Sequence, residues 1–165
     1  MKQTLIVALL AAWSSVSAYA FDVNGIALGA SEADIREMFP SAYCKSLEWP
    51  SRAADRRCDD AQLRFVETDM RVSFYLRGNT VQGYGLRFAA NERPRVVAAL
   101  KSLWGPPEAE VKELIQRNGK ANREVYKVTW AKDGDRAVLL WRPDRKRCWL
   151  NVSRGDFAEE IYRVR

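Results

Sequence analysis

The stretch that decides the fold is REVYKVTWAKDGDRAVLLWRPDRKRCWLNVSR, at residues 123–154. Its alternating polar and apolar positions predict three β-strands, near residues 123–131, 136–142 and 147–153. Asp133-Gly134 is typical of a tight hairpin turn between the first two strands, and residues 143–146 supply the second turn. The stretch therefore predicts a piece of antiparallel sheet that is rich in aromatic and basic side chains.

The same stretch accounts for the net charge of the protein. It contains nine basic and four acidic residues, a net charge of +5, in a chain of net charge +6. Removal of a leader that contains Lys2 would leave +5, so the other residues of the mature chain balance to zero. A positive field confined to one region favours an anionic partner there. The alternative is that these residues only keep a sheet edge soluble.

Residues 1–20 have the layout of a secretory signal peptide. Lys2 precedes an apolar run at residues 5–13, and Ala18 and Ala20 form an A-x-A cleavage site that predicts a mature chain beginning at Phe21. The apolar run is too short to span a bilayer, and no second long apolar run follows it. We therefore expect a periplasmic or secreted protein that does not span a membrane.

The chain contains three cysteines, Cys44, Cys58 and Cys148. In an oxidising compartment the neighbouring pair Cys44 and Cys58 is the natural disulfide, and closing its short loop is worth roughly 3 kcal/mol. Cys148 is then left over, and its alternation with Leu150 and Val152 favours a buried free thiol. An intermolecular disulfide, or a bridge to Cys44 or Cys58, is the alternative.

The rest of the chain predicts two similar halves. A capping box at Ser31 and Asp34 begins a helix that ends before Pro40, and strands follow at residues 62–66, 71–77 and 80–88. Residues 42–60 have no period and predict a loop. A helix at residues 91–104, with Asn91 as its N-cap and Leu103 in its apolar stripe, precedes a third helix at 108–117. The stretch at 123–154 and a short helix at 156–162 complete the chain.

This order predicts an α+β protein. It consists of two tandem units, each a helix plus a three- or four-stranded antiparallel sheet, packed into one compact domain. After the signal peptide at residues 1–20, the first unit spans residues 21–90 and the second residues 91–165.

Two segments carry a resemblance to a known fold. They are GIALGASEADIREMF at residues 25–39, a helix entry, and LKSLWGP at residues 100–106, the end of the second helix. In this plan the chain resembles the β-lactamase inhibitor protein fold and the single-unit BamE-like envelope proteins. The resemblance implies a sheet face that binds protein and no catalysis. It also implies a second disulfide, for which the lone Cys148 leaves no counterpart.

Several kinds of chemistry lack their residues. The chain has no histidine, which removes the common nucleophilic triads and the commonest metal ligand. We therefore expect no metal site, no cofactor and no enzyme. Asp133-Gly134-Asp135 lacks the remaining ligands of a calcium loop, so a turn explains it better. The carboxylates Glu48, Asp59 and Asp60 could act on a glycan, but loop carboxylates are usually solvated.

Strand alternation selects a binding face. If Cys148, Leu150 and Val152 face the helices, then Trp149 and Asn151 face the other way. In the strand at 123–131, Tyr126, Val128 and Trp130 are predicted to point toward the helices and Lys127 to point outward. The strand at 136–142 is apolar on both faces, and it is therefore predicted to be covered on both sides. An outward tryptophan beside basic residues has the composition of a binding hot spot. The predicted binding residues are Trp149, Arg145, Lys146, Arg147, Arg142, Asn151, Lys127 and Tyr75.

These features predict an exported, non-enzymatic protein that binds a protein partner, as an inhibitor or an envelope adaptor, through its sheet face. The alternative is an envelope polyanion binder, for a glycan or a lipid phosphate, that uses the basic turn at residues 142–147. A carboxylate-based hydrolase is less favoured. Aromatic and basic residues together also suit single-stranded nucleic acid, but export argues against that partner.

Overall fold

A computed structural model describes residues 20–25, 27–117 and 120–161, without the side chains of residues 60, 117 and 120. The predicted signal peptide, apart from Ala20, lies outside this range. The described chain forms α1 (Glu32–Met38), β1 (Tyr43–Ser46), β2 (Arg56–Phe65), β3 (Thr68–Arg77), β4 (Thr80–Ala89), a 3-10 turn (Ala90–Glu92), α2 (Arg93–Trp104), β5 (Ala109–Arg117), β6 (Lys120–Lys132), β7 (Asp135–Trp141), β8 (Arg147–Arg154) and α3 (Phe157–Glu160).

The fold is mostly β, and the prediction of two tandem helix-plus-sheet units is wrong. Within the described residues, eight strands form one antiparallel sheet in the order β1-β2-β3-β4-β8-β7-β6-β5. The strands of the two predicted units are joined where β4 pairs with β8, from Gly83 opposite Ser153 to Ala89 opposite Arg147. Pairing these two strands satisfies backbone groups that two separate sheets would expose as edges, and one hydrophobic core runs along the whole sheet.

The prediction of a third helix at residues 108–117 is also wrong, because this segment forms the strand β5. It pairs with β6 from Ala109 opposite Thr129 to Arg117 opposite Lys120. Val111, Leu114 and Ile115 fit one helical face by spacing, but all three are substantially exposed in the strand. β6 is a long strand whose free backbone groups need a partner, and this tertiary demand outweighs local helix propensity.

The predicted strands of the C-terminal half are confirmed to within a few residues, and so is the tight turn at Asp133-Gly134. Gly78 and Asn79 join β3 to β4, and Asp133 and Gly134 join β6 to β7, with positive φ at all four residues. Positive φ at both central residues is the geometry that matches the twist of a two-residue hairpin. The β2–β3 hairpin uses the same geometry with Val66 and Glu67, which the sequence pattern does not favour there.

Both long helices lie on the same face of the sheet, which we call the covered face. Phe74, Tyr84, Val152, Ala137 and Trp130 stand opposite one another in register across five strands, so their side chains share this face. Phe39, just after α1, packs on Phe74 at 5.5 Å between ring centroids, and Trp104, at the end of α2, packs on Trp130 at 5.5 Å. The two helices therefore cover opposite ends of one sheet.

The helix starts were predicted with mixed success. The capping box at Ser31 is confirmed, because its hydroxyl accepts from the Asp34 N–H while the Asp34 carboxylate accepts from the Ser31 N–H. Asn91 is not the N-cap of α2, which begins after Glu92 and is preceded by a 3-10 turn. Leu103 is 56% exposed, so it lies outside the buried stripe that it was predicted to join.

The disulfide between Cys44 and Cys58 is confirmed, and it links two residues that stand directly opposite each other on β1 and β2. The loop predicted at residues 42–60 is therefore partly strand. Cys148 is a buried free thiol, as the favoured interpretation had it. No helix in the described part of the chain is long and apolar enough to cross a membrane.

Arg93, the first residue of α2, occupies the covered face beside Cys148. Its guanidinium lies 3.8 Å from the ring centroid of Trp141 and 4.9 Å from that of Tyr126. Stacking on two aromatic rings accommodates a charged group where little water reaches it. Burial raises the pKa of the Cys148 thiol to about 11, with Arg93 acting in the opposite direction.

Candidate functional site

The opposite side of the sheet carries the candidate site, and we call it the open face. One row of residues in register across the central strands is Ser73, Gly85, Asn151, Val138 and Thr129. The next row is Arg71, Arg87, Trp149, Leu140 and Lys127. Neither long helix covers this face, so strand alternation directs the side chains of these two rows away from the helices. Thr129, at the end of the first row, is nevertheless buried.

The structure brings together several of the predicted binding residues on this face. Trp149, Asn151 and Lys127 lie in the two central rows, and Tyr75 lies one row further along. Trp149 is half-buried. The orientation that alternation predicts for Trp149, Asn151 and Lys127 is confirmed. Their role in binding stays a prediction.

The half of the open face formed by β5, β6, β7 and β8 is mainly apolar. A depression of about 630 Å³ lies here, and its apolar lining residues are Ile115, Val125, Val138, Leu140, Trp149 and Ala158. The prediction that β7 is covered on both sides is wrong, because Val138 and Leu140 are only half-buried on the open face. These two side chains form an aliphatic floor next to Trp149.

The half formed by β2, β3 and β4 is polar and basic. A depression of about 470 Å³ lies over it, and Trp149 and Asn151 line this depression as well as the apolar one. Asp59 is already engaged, because its carboxylate pairs with Arg57 at 2.7 Å and accepts from the Ser73 hydroxyl at 2.7 Å. Arg57 in turn lies 5.7 Å from the centroid of the Tyr75 ring.

Two further arginines line the basic half, and they stand side by side. Arg71 of β3 is directly opposite Arg87 of β4, and Arg87 is directly opposite Trp149 of β8. Like charges at directly opposite positions of an antiparallel pair destabilise the sheet. The polar depression contains three arginines and one aspartate, so the net charge of its lining is +2.

The basic turn between β7 and β8 differs from this arrangement, because it carries its own counterion. Asp144 lies 3.4 Å from Nε of Arg142 and 3.9 Å from Nε of both Arg145 and Arg123. The structure therefore divides the predicted basic residues into two groups. Arg142 and Arg145 lie around Asp144 and away from the basic half. Arg147 is the first residue of β8 and stands opposite Ala89 of β4, one of the strands of the basic half.

The short helix α3 covers one end of the open face. The Phe157 ring lies over Gly83 and packs on Tyr75 at 5.5 Å between ring centroids. A Cβ atom at Gly83 would lie 2.6 Å from the Phe157 ring, so only glycine leaves the room that this ring occupies. The helix is tied to the chain before β2, because Trp49 Nε1 donates to the Ile161 carbonyl at 2.8 Å.

The carboxylates that could serve a hydrolase are held by cations. Glu48 forms an ion pair with Lys45, whose hydrogen bond lowers the pKa of the Glu48 carboxyl. A general acid needs a raised pKa instead, and Asp59 is engaged as described above. The side chain of Asp60 lies outside the described residues. Geometry therefore offers no support for acid–base work by the described members of this group.

One cluster of possible metal ligands exists among the described residues. It consists of Glu32, Cys44 and Cys58, whose donor atoms lie within 4.8 Å of one another. The two sulfur atoms are joined in a disulfide and are not available as thiolates. Glu32 accepts hydrogen bonds from Arg56 and Arg36, so the cluster is better explained as structural.

Sequence reasoning missed Arg87, Val138 and Leu140 as site residues. The alternation of β4 already directs Arg87 away from the buried Leu86 and Phe88, so a local signal existed. What it could not show is the pairing of β4 with β8, which sets Arg87 beside Trp149.

Comparisons of the chain with protein-family models, with characterised proteins and with solved structures find no match. The open face is therefore interpreted from its own residues.

Proposed function

We propose that this chain is an exported, non-enzymatic binding protein that engages a protein partner through the open face. The observation that carries the proposal is the half-buried Trp149, which stands between an aliphatic floor and a basic surface on an uncovered sheet. Interfaces combine such an aromatic centre with apolar neighbours and a polar rim. Tryptophan and arginine are also the residues most enriched among binding hot spots.

The apolar half supports a protein as the partner. Val138 and Leu140 are large aliphatic side chains at neighbouring positions, and burying them against a partner would be favourable at about 25 cal/mol per Å². Charged polymers offer little apolar surface in exchange. A folded protein or peptide presents both apolar and charged side chains, and so it suits both halves of the open face.

Export is the second part of the proposal. A disulfide is present, which fits an extracytoplasmic protein, and residues 1–20 have the layout of a cleaved signal peptide. We infer that the mature chain acts in the periplasm or after secretion, as an inhibitor-like protein or an envelope adaptor.

The alternative partner, an envelope polyanion at the turn of residues 142–147, has less support. Asp144 lies among Arg142, Arg145 and Arg123, and a carboxylate at the centre of this group repels an incoming polyanion. Polyanion binding should weaken steeply as salt rises, whereas an interface with a large apolar part should lose less affinity.

Site-specific photo-crosslinking tests the proposal. A benzophenone amino acid is placed at Asn151 on the open face, and in a matched variant at Leu103, which is exposed on α2 behind the covered face. Both variants are irradiated in cell-envelope and culture fractions of the producing organism. We expect a discrete crosslinked protein from position 151, its loss when Trp149→Ala is added, and no such product from position 103.

Two results would contradict the proposal. One is the same set of products from positions 151 and 103, which would indicate nonspecific contact. The other is a product from position 151 that Trp149→Ala leaves unchanged, because the tryptophan would then not belong to the interface.

A further inference from the structure

A further groove lies at the end of the open face where β4 ends and β8 begins, and we call it the cationic groove. Its volume is about 580 Å³. Five cationic side chains and one carboxylate line it: Arg64, Arg71, Arg87, Lys146, Arg147 and Asp69. The net charge of the lining is therefore +4, which exceeds the +2 of the polar depression over β2, β3 and β4.

Four of the five cations are available to a ligand. Arg71 already has an interaction partner and is not counted among them. The side chains of the other four are exposed and form no ion pair or hydrogen bond within the described part of the chain: Arg64, Arg87, Lys146 and Arg147. Asp69 is the one carboxylate of the lining, so four cations without Arg71 still leave a net charge of +3.

Strand pairing brings the two ends of the cationic groove together. Arg64 of β2 stands opposite Asp69 of β3, and Arg147 of β8 stands opposite Ala89 of β4. Because β3 and β4 lie between β2 and β8, the backbones of Arg64 and Arg147 are about 14 Å apart. Asp69 and Ala89 have short side chains, so the space between the two arginines is open to a ligand.

Arg87 and Lys146 complete the cationic groove. Arg87 lies two residues before Ala89 and therefore on the same face of β4. The Lys146 carbonyl accepts from the Ala90 N–H at 2.9 Å, which holds the turn before β8 against the end of β4. Adjacent strands thus hold Arg87 and Arg147, whose guanidinium groups can reach one ligand from two sides.

We infer that the cationic groove binds a phosphate group, which is carried by a soluble phosphate ester or by a lipid headgroup. A phosphate has more acceptor oxygens and more negative charge than a carboxylate, and arginine binds it through two parallel N–H donors. This site goes beyond the proposed function, because it lies beside Trp149 and away from the aliphatic floor of Val138 and Leu140.

The apolar residues of this lining favour a hydrophilic ligand over a protein segment. Met70 and Phe88 are buried on the covered face, and Leu63, which stands opposite Met70, points the same way. Of the apolar residues in the lining, Ala89 alone directs its side chain to the open face. A protein segment would therefore bury little apolar surface here, in contrast to the surface around Val138.

The test uses the full mature chain and three small probes. They are glycerol phosphate, glycerate, which has a carboxylate in place of the phosphate ester, and uncharged glycerol. Binding is followed at low salt by NMR through the backbone amide resonance of Ala89, which lies between the arginines. We expect glycerol phosphate to bind about tenfold more tightly than glycerate, as one additional charge-assisted contact implies, and glycerol to leave the resonance unchanged.

Vesicles identify the source of the phosphate. The mature chain is sedimented with phosphatidylcholine vesicles that contain one fifth phosphatidic acid, and pure phosphatidylcholine vesicles are the control. Binding to the phosphatidic acid vesicles that glycerol phosphate competes away would assign the cationic groove to a lipid headgroup. Binding of glycerol phosphate without binding to these vesicles would assign it to a soluble ester.

Variants assign the phosphate to the cationic groove. Arg87→Gln combined with Arg147→Gln should weaken the binding of glycerol phosphate by about tenfold or more. Arg136→Gln combined with Arg145→Gln is the matched control, because it removes the same charge at exposed positions outside the groove and should change the affinity by no more than about twofold. Asp69→Asn removes the one repulsive carboxylate and should tighten binding. Urea unfolding checks that each variant is folded.

Three results would overturn the inference. One is binding of glycerate as tight as that of glycerol phosphate, which would indicate a carboxylate site. Another is an equal loss of affinity in the two double variants, because only the net charge would then matter. The third is that neither glycerol phosphate nor the phosphatidic acid vesicles bind. Photo-crosslinking at Asn151 reports on a protein partner and is independent of these titrations, so either result can fail while the other stands.

Discussion

Replacing the β2–β3 turn with Asn-Gly, by Val66→Asn together with Glu67→Gly, is expected to stabilise the protein. Val66 has φ of 43° and Glu67 has φ of 61°, in the left-handed region that L-residues avoid. That region costs an L-residue roughly 1–2 kcal/mol, and a β-branched valine is especially unsuited to it. Asn-Gly is the pair that two-residue hairpins of this geometry prefer.

The size of the gain follows from opposing effects. Removing the backbone strain at Val66 is worth about 1 kcal/mol, and removing the strain at Glu67 is worth about 1 kcal/mol. From this sum roughly 0.5 kcal/mol is subtracted, because glycine has extra conformational freedom in the unfolded chain. Glu67 is 3.8 Å from Arg95, but its side chain is 81% exposed and the pair is worth little. The net gain is about 1.5 kcal/mol, or about 3–6 °C in Tm for a chain of this size.

Thermal and urea unfolding of the mature protein measure this gain. The matched control is Asp133→Val, which puts a β-branched residue at φ of 54° in the β6–β7 turn and should cost about 1 kcal/mol. An unchanged Tm in the Asn-Gly variant, with the expected loss in Asp133→Val, would refute the view that the β2–β3 turn is strained.

Three further predictions concern the core, the acid stability and the open face. Cys148 should resist thiol reagents at about pH 8 in the folded protein and react only on unfolding, because burial raises its pKa; rapid labelling would contradict this burial. Hydrogen bonds from Arg56 hold the pKa of Glu32 below its ordinary value, so its contribution to stability exists above the unfolded pKa and is lost as pH falls through the folded one. Urea unfolding at neutral and acidic pH should therefore show a smaller acid loss in Glu32→Gln than in the unaltered protein, and an equal loss would exclude this role. Gly83→Ala should lower stability by about 1–3 kcal/mol because its Cβ overlaps the Phe157 ring; the same substitution should cost much less in a Phe157→Ala background, and equal costs would show that the ring is not the cause.

The local elements were predictable wherever a few adjacent residues determine the backbone geometry. The capping box at Ser31 and the turn at Asp133 are examples, because side-chain caps and positive φ depend on a few adjacent residues. The outward direction of Trp149 followed from alternation with Cys148 and Leu150. These predictions needed only contacts within one strand or one turn.

The errors occur where distant strands decide the outcome. The segment of β5 has a spacing that suits a helix, but the free edge of β6 recruits it as a strand. β7 is apolar on both sides, which predicted cover on both faces, and the structure leaves Val138 and Leu140 on the open face instead. Composition alone cannot distinguish a covered aliphatic residue from one that is available to a partner.

The amino-acid sequence by itself determined the charge excess of residues 123–154, the absence of histidine, the cysteine pair and the face to which Trp149 points. Each of these depends on composition or on short-range periodicity. Only the tertiary structure decided that β4 pairs with β8, which joins the eight described strands into one sheet and sets Arg87 beside Trp149. The physical reason is that backbone hydrogen bonds between strands are insensitive to side-chain identity, so the partner of a strand is selected by the packing of the whole core.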